Sequence, residues 1–467
     1  MTYDMTIDGK AARAPRTFGV VNPADEEVFA EAPECGRDQL DRAMEAATAA
    51  GPAWAADEAR RRQLLRDCCE AIKARVPEMA PVLTREQGKP IQKAAAEIFG
   101  AALSFLFTAG LELPGELVQD DDQVRIEVRP RPLGVVGAIT PWNFPVLIAC
   151  AKIAPALLAG NTVVLKPSPF TPLSSLLLGE ALRDVLPPGV FSVVSGGDEV
   201  GAWLSEHPAV RKISLTGSVA TGKRVAAAAA SDLKRVTLEL GGNDPAIVLP
   251  DADPKKLAPM LFWTAFDNSG QICSAIKRVY APEEIYQPLV DALAEVARDV
   301  KTGDGLDPAS QLGPINNRPQ FERVCELVED ARRSGAKAVV GGERLGERGY
   351  FFSPTLFSEV DDGTRIVDEE QFGPVLPIIR YRDIDDAVAR ANATHFGLGG
   401  SVWGTDLERA AEVAGRLDCG TAWINTHLAI VPHAPFGGHK WSGVGLENGK
   451  WGVSGFCELQ VLHTVKG

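Results

Sequence analysis

Four short stretches carry residues whose types could do chemistry on a carbonyl carbon. In "FDNSGQICSA" (266–275) a single cysteine, Cys273, follows a Gly-Gln pair. A thiolate near a base or a helix start is a strong nucleophile, whereas a lone cysteine by itself is more often inert. In "LELGGND" (238–244) Glu239 ends an apolar run and precedes two glycines. Apolar surroundings raise a carboxyl pKa toward general-base duty, although a salt-bridged glutamate fits the same residues. In "TPWNFP" (140–145) two prolines bracket Trp142, Asn143 and Phe144. A rigid loop there could aim the Asn143 amide at a developing oxyanion, or could be only a turn. In "LTGSVATGKR" (215–224) a strand end runs through two glycines into a helix. Backbone N–H groups at a helix start suit a phosphate. The stretch nearly matches a P-loop, but Arg224 stands where Ser or Thr must hold magnesium, which weakens a phosphotransferase reading. Together the four supply a nucleophile, a base, an oxyanion donor and a pyrophosphate cradle.

Two α/β series are expected to position them. Apolar runs at 134–139, 162–166, 190–194, 211–215 and 236–240 alternate with helical stretches, the pattern of a doubly wound parallel sheet with ligands at its carboxyl ends. A second series from 246 to about 425 reads as another α/β domain, with helices at 285–300 and 318–334. Upstream, helical periodicity covers 38–75, broken at "AGPAW", and 91–112. "QVRIEVRPRP" (123–132) and "GFCELQVLHTVKG" (455–467) alternate like exposed strands, which often pair with another subunit.

The 467 residues and 45% apolar content predict two or three domains. A net charge of −14 argues against nucleic acid or anionic membrane as a partner. No apolar run reaches the ~18 residues of a membrane span, and no signal peptide is read at the start, so the cytoplasm is expected. Eight cysteines without paired spacing predict no disulfide framework, and six histidines without metal spacing predict no metal site.

The ordered set "TPWNFP", "VLKPS", "LTGS", "LELGGND", "SGQICSA", "EEQFGPVLP" and "PFGGHKWSG" resembles the aldehyde dehydrogenase superfamily, as does the 34-residue separation of Glu239 from Cys273. The resemblance implies an α/β fold: a Rossmann-type cofactor domain (1–113 and 133–241), a catalytic domain (242–440) and a β oligomerisation arm (114–132 and 455–467). It implies oxidation of an aldehyde to a carboxylic acid with NAD, NADP being possible, by a homodimer or homotetramer. Cys273 would attack the carbonyl, Asn143 and the Cys273 N–H would hold the oxyanion, and Glu239 would activate water against the thioester. Trp142, Lys166, Ser168, Gly197, Gly201, Ser218, Glu239, Leu240, Glu370 and Phe372 would surround the cofactor; Gly242 and Gly270 would form turns near the thiol. Phe144, Leu147, Ile148, Ala151, Asp267, Ile272, Ser274, His427, Leu428 and Ile430 would line the substrate tunnel.

Three positions depart from the pattern. Pro169 replaces a glutamate that in many NAD-preferring members repels a 2′-phosphate. Ala151 stands where Trp is common, and Asp267 replaces a frequent aromatic, so a medium or bulky apolar or aromatic aldehyde is expected. A semialdehyde or amino-aldehyde substrate, CoA acylation and a non-catalytic relative are the competing readings.

Overall fold

The computed structural model describes residues 2–466. One sheet has eight strands. In spatial order they are Gly443–Val444, Arg235–Glu239, Val210–Thr216, Val135–Ile139, Thr162–Lys166, Phe191–Val193, Met5–Ile7 and Lys10–Ala12. The five from Arg235–Glu239 to Phe191–Val193 pair in parallel, and the outer ones run antiparallel. Their apolar runs are buried on both faces, as helix-covered parallel strands must be. Chain order reverses between Val135–Ile139 and Val210–Thr216, the crevice where open α/β sheets bind ligands.

The second sheet has seven strands: Lys337–Val340, Thr355–Val360, Val375–Tyr381, Ile276–Pro282, Asp244–Val248, Gly399–Trp403 and Thr421–Ile424. Only the first of these runs antiparallel to its neighbour. The chain crosses from one sheet to the other between Glu239 and Asp244, and Asp244 pairs with Ile276, three residues after Cys273. That crossing brings Glu239 and Cys273 near one another. Separate apolar cores back the two sheets, one around Val136, Val164 and Ile213, others around Ile247, Phe357, Val279 and Phe262. Each such buried side chain contributes about 1.5–3 kcal/mol relative to exposure.

A three-stranded sheet stands apart. Cys457–Val465 pairs antiparallel with Val124–Pro132 along nine residues, and Glu116–Asp120 lies outside. Leu117, Val118, Leu459, Val461 and Val465 are exposed on it.

Several local expectations need correction. The helix Arg37–Ala56 runs through Gly51 and Pro52 instead of breaking there, held by Trp54, whose indole N–H donates to the Leu157 carbonyl at 3.1 Å. The break falls at Asp57, which caps the next helix by accepting from the Arg60 N–H. The next helical stretch ends at Thr108, not 112. A helix at Val76–Gln87 escapes a sequence reading because Pro77 and Pro81 interrupt its pattern, although Pro77 occupies a first-turn position that needs no N–H.

Candidate active site

Cys273 follows a strained approach. Asn268, Ser269 and Gly270 all have positive φ (50°, 56° and 73°). Such conformations cost non-glycine residues on the order of 1–3 kcal/mol and persist only when their surroundings enforce them. Enforcement is visible here. The Ser269 hydroxyl donates to the Gly313 carbonyl at 2.7 Å. The Gln271 amide donates to the Asn268 carbonyl at 2.8 Å, and its oxygen accepts from the Asn316 N–H at 2.8 Å. Gly270 is obligatory, since a Cβ there would stand 2.1 Å from the Gly373 carbonyl oxygen. Gly242 is equally constrained: its Cβ would lie 2.5 Å from the Cys273 carbonyl oxygen. Cys273 itself is half-buried, and protein encloses its thiol closely enough that burial pushes its pKa up to about 12. Lys277 opposes that rise, while Glu370, Glu239 and Asp244 add to it.

Asn143 is buried beside this turn, and its side-chain amide donates to the Gln271 carbonyl at 2.9 Å. One of its two N–H groups is thereby used to aim the other. Lys89 and Glu97, which sequence reasoning missed, clamp the loop. Their ion pair closes at 2.5 Å with side chains 1% exposed. Lys89 also donates to the Asn143 carbonyl at 2.8 Å and lies 3.8 Å over the Phe144 ring. Glu97 accepts from the Val146 and Leu147 N–H groups at 3.0 and 3.3 Å, stabilising the first turn of the helix Pro145–Leu158. The available signal was Glu97 as the lone charge in the apolar stretch 94–111. Lys277, also missed, donates to the Ile272 and Cys273 carbonyls at 2.8 and 2.5 Å and meets Glu370 at 3.5 Å.

Glu239 ends its strand opposite Thr216 and Gly443. It is buried, and neither carboxyl oxygen has a hydrogen-bond partner. Burial raises its pKa well above the usual carboxylate range; Glu447 raises it further and Lys152 opposes.

The residues expected around a cofactor gather at the carboxyl ends of the first sheet. Lys166 ends Thr162–Lys166 beside Ile139, and burial lowers its pKa to about 8. Ser168 shapes the following turn, accepting from the Phe170 N–H. Ser218 caps the helix Val219–Ala230 by accepting from the Thr221 N–H at 3.2 Å. Leu240 packs against Gly222 of that helix, where a Cβ would come within 2.6 Å. Lys223, which a P-loop would aim at phosphate, instead lies 3.5 Å over the Trp441 ring. A Cβ on Gly197 or Gly201 would meet nothing within 4 Å. The Trp142 and Phe372 rings meet edge to face at 5.2 Å. Glu370 accepts from the Gly242 N–H at 3.1 Å, and the Gln320 amide holds the Gln371 and Phe372 carbonyls.

The tunnel set divides. Phe144, Leu147, Ile148 and Leu428 are half-buried, and Ile430 is exposed. Ala151 borders a cavity of about 40 Å³ with Phe107, Leu111 and Pro155. Asp267 is paired with Lys93 at 3.0 Å. Ile272 and Ser274 are buried in the nucleophile turn. His427 is not a tunnel wall: its side chain is fully enclosed, with Nε2 2.8 Å from the Ser274 carbonyl oxygen. Positive φ at Asn425 and Leu428 turns it inward, a reversal that residue order alone does not show.

A cysteine turn and a buried carboxylate meet at the junction of two largely parallel sheets, with the helix start at Ser218 after the strand that neighbours Glu239. The aldehyde dehydrogenase family model matches residues 10–462, and the chain belongs to the aldehyde dehydrogenase family. It is 40% identical to rat retinaldehyde dehydrogenase 3 over 98% of this chain and 91% of that protein. An aldehyde dehydrogenase from Bacillus cereus in complex with NAD+ superposes with TM-score 0.97 at 35% identity, over 100% of this chain and 97% of the other. Betaine aldehyde dehydrogenase from Staphylococcus aureus with NAD+ gives 0.96 at 32%, over 100% and 95%. The chain is thus an NAD(P)-dependent aldehyde dehydrogenase. Among the described residues, no helix is long and apolar enough to cross a membrane.

Proposed function

We propose that this enzyme oxidises a medium or bulky apolar or aromatic aldehyde to its acid by hydrolysis of a Cys273 thioester, preferring NAD and tolerating NADP. The observation that carries the hydrolytic reading is Glu239, whose two buried, unpartnered oxygens are free to take a proton from water. Cys273 adds to the aldehyde carbon as its thiol proton passes to solvent water, and the Asn143 amide with the Cys273 N–H steadies the oxyanion. NAD held by Lys166, Ser218 and Glu370 would supply the hydride acceptor needed to convert that adduct to the thioester. Glu239 then draws a proton from water as the water adds to the thioester carbon, and Cys273 departs as thiolate.

Residues present suit the dinucleotide. Lys166 ends the strand next to those flanking the switch crevice, Ser218 and its helix start follow a strand that borders it, and Pro169 brings no carboxylate to repel a 2′-phosphate. The cofactor domain is assigned to 1–113 and 133–241, the catalytic domain to 242–440. The exposed apolar side chains of the 116–132 and 457–465 strands support assembly as a homodimer or homotetramer. Eight free cysteines suit a reducing cytoplasm.

The small side chain of Ala151 supports the bulky substrate. Asp267, satisfied by Lys93, offers no free carboxylate to an amino-aldehyde, and Lys93 no free cation to a semialdehyde. The test is an aldehyde panel from short aliphatic to aromatic, with NAD, NADP and added CoA. Acid, not acyl-CoA, is the expected product. Ala151→Trp is expected to lower kcat/KM for the bulkiest good substrate at least about tenfold, while a two-carbon aldehyde changes little. Unchanged kinetics on the bulky aldehyde would refute the size assignment.

A further inference from the structure

Residues 272–275 form a hydrogen-bonded turn in which the Ala275 N–H donates to the Ile272 carbonyl at 3.2 Å, with Cys273 and Ser274 in the central positions. Three peptide planes set where the thiol and its neighbouring N–H groups point. Each carbonyl of those planes meets a buried donor from outside the turn. Lys277 takes the Ile272 and Cys273 carbonyls at 2.8 and 2.5 Å, and His427 takes that of Ser274 at 2.8 Å. A peptide is planar, and its N–H points away from its C=O, so holding a carbonyl fixes the N–H behind it. The Ile272 carbonyl thus fixes the Cys273 N–H. The Ser274 carbonyl fixes the Ala275 N–H, which closes the turn.

The carbonyl acceptor defines the tautomer of His427. Nε2 carries the hydrogen, and Nδ1 is bare, buried and without a partner. Burial favours this neutral form, lowering the ring's pKa to about 3. Around the ring stand Trp423, with centroids 4.6 Å apart, and Asp244, with Oδ2 3.7 Å from Nε2; the charge of Lys277 also opposes its protonation. The loop bearing it is itself built to one shape. The Asn425 side chain accepts from the Gly404 N–H and donates to the Gly404 carbonyl, and the Trp423 indole N–H donates to the Ala429 carbonyl.

We propose that His427 is a positioning residue for the chemistry at Cys273: its Nε2–H holds the Ser274 carbonyl and so fixes the last plane of the turn that presents the thiol and the Cys273 N–H to the substrate. The proposal rests on Cys273 being the nucleophile. Phenylalanine keeps the ring volume without the donor, and glutamine returns an amide N–H near the place of Nε2. Displacing a reacting group by about 1 Å costs on the order of 10²-fold. His427→Phe is therefore expected to lower kcat about 10- to 100-fold with aldehyde and NAD KM values within about threefold of wild type. His427→Gln is expected to recover kcat to within about fivefold. A Phe variant with undiminished kcat, or a Gln variant as impaired as Phe, overturns the proposal. If the Phe protein does not fold, His427→Asn, too short to reach Ser274, takes its place: low kcat against the active Gln variant supports the proposal, and equal kcat overturns it. A wild-type enzyme inactive on every aldehyde would instead overturn the Cys273 reading on which the proposal stands.

Discussion

Cys273 and Glu239, the proposed nucleophile and base, lie at opposite extremes of restraint. The Cys273 turn is held at every carbonyl, preceded by three left-handed residues and flanked by the Lys89–Glu97 clamp on Asn143. Glu239 is as deeply enclosed, yet its carboxylate touches no hydrogen-bond partner. The difference follows from their tasks. An attacking sulfur must meet a carbonyl carbon and an oxyanion donor at one geometry, so its backbone is fixed beforehand. A base must accept a proton and give it up, and a carboxylate already bonded to donors would be too weak to do so.

The contrast can be broken first at the thiol. Cys273→Ala is expected to reduce aldehyde turnover at least about 10⁴-fold in steady-state assays while leaving the melting temperature nearly unchanged. The clamp should respond the opposite way. Lys89→Met leaves Glu97 buried without its partner, and a stability loss of about 3–5 kcal/mol in urea unfolding is expected.

Titration sharpens the comparison further. With the Cys273 thiol pushed up to about 12, its thiolate fraction rises about tenfold per pH unit through the neutral range. Iodoacetamide labelling of the cofactor-free enzyme should climb in that proportion from about pH 7 to pH 10, and a plateau below about pH 9 would contradict it. Glu239 gives the smallest effect. Its folded pKa is raised, so its share of stability is full below the ordinary carboxyl pKa and falls away as pH rises toward the folded value. Glu239→Gln should therefore melt slightly higher than wild type at alkaline pH, a gap that shrinks on acidification.

The parallel strands were legible because both faces are buried: "VVGAI" and "TVVLK" leave few alternatives. Ile276–Pro282 was not, because Lys277 and Arg278 break its apolar run. Those two side chains are buried donors to the nucleophile turn and to the Asn243 and Ala391 carbonyls, so local work in the site hid the strand from its own pattern. Cys273, Glu239 and Asn143 stand out in the sequence as candidates because motif and residue type coincide, and the fold brings their segments together. Lys89, Glu97 and the inward turn of His427 depend on tertiary contacts between segments far apart in the chain, which spacing does not encode.

The central claim, that Cys273 carries the acyl group until Glu239 releases it, is tested most directly by mass spectrometry of Glu239→Gln after mixing with NAD and a good aldehyde substrate. An adduct of the acyl mass on the peptide containing Cys273, formed with about one equivalent of NADH per site, is the predicted result. An unmodified Cys273 alongside that same NADH burst would contradict it.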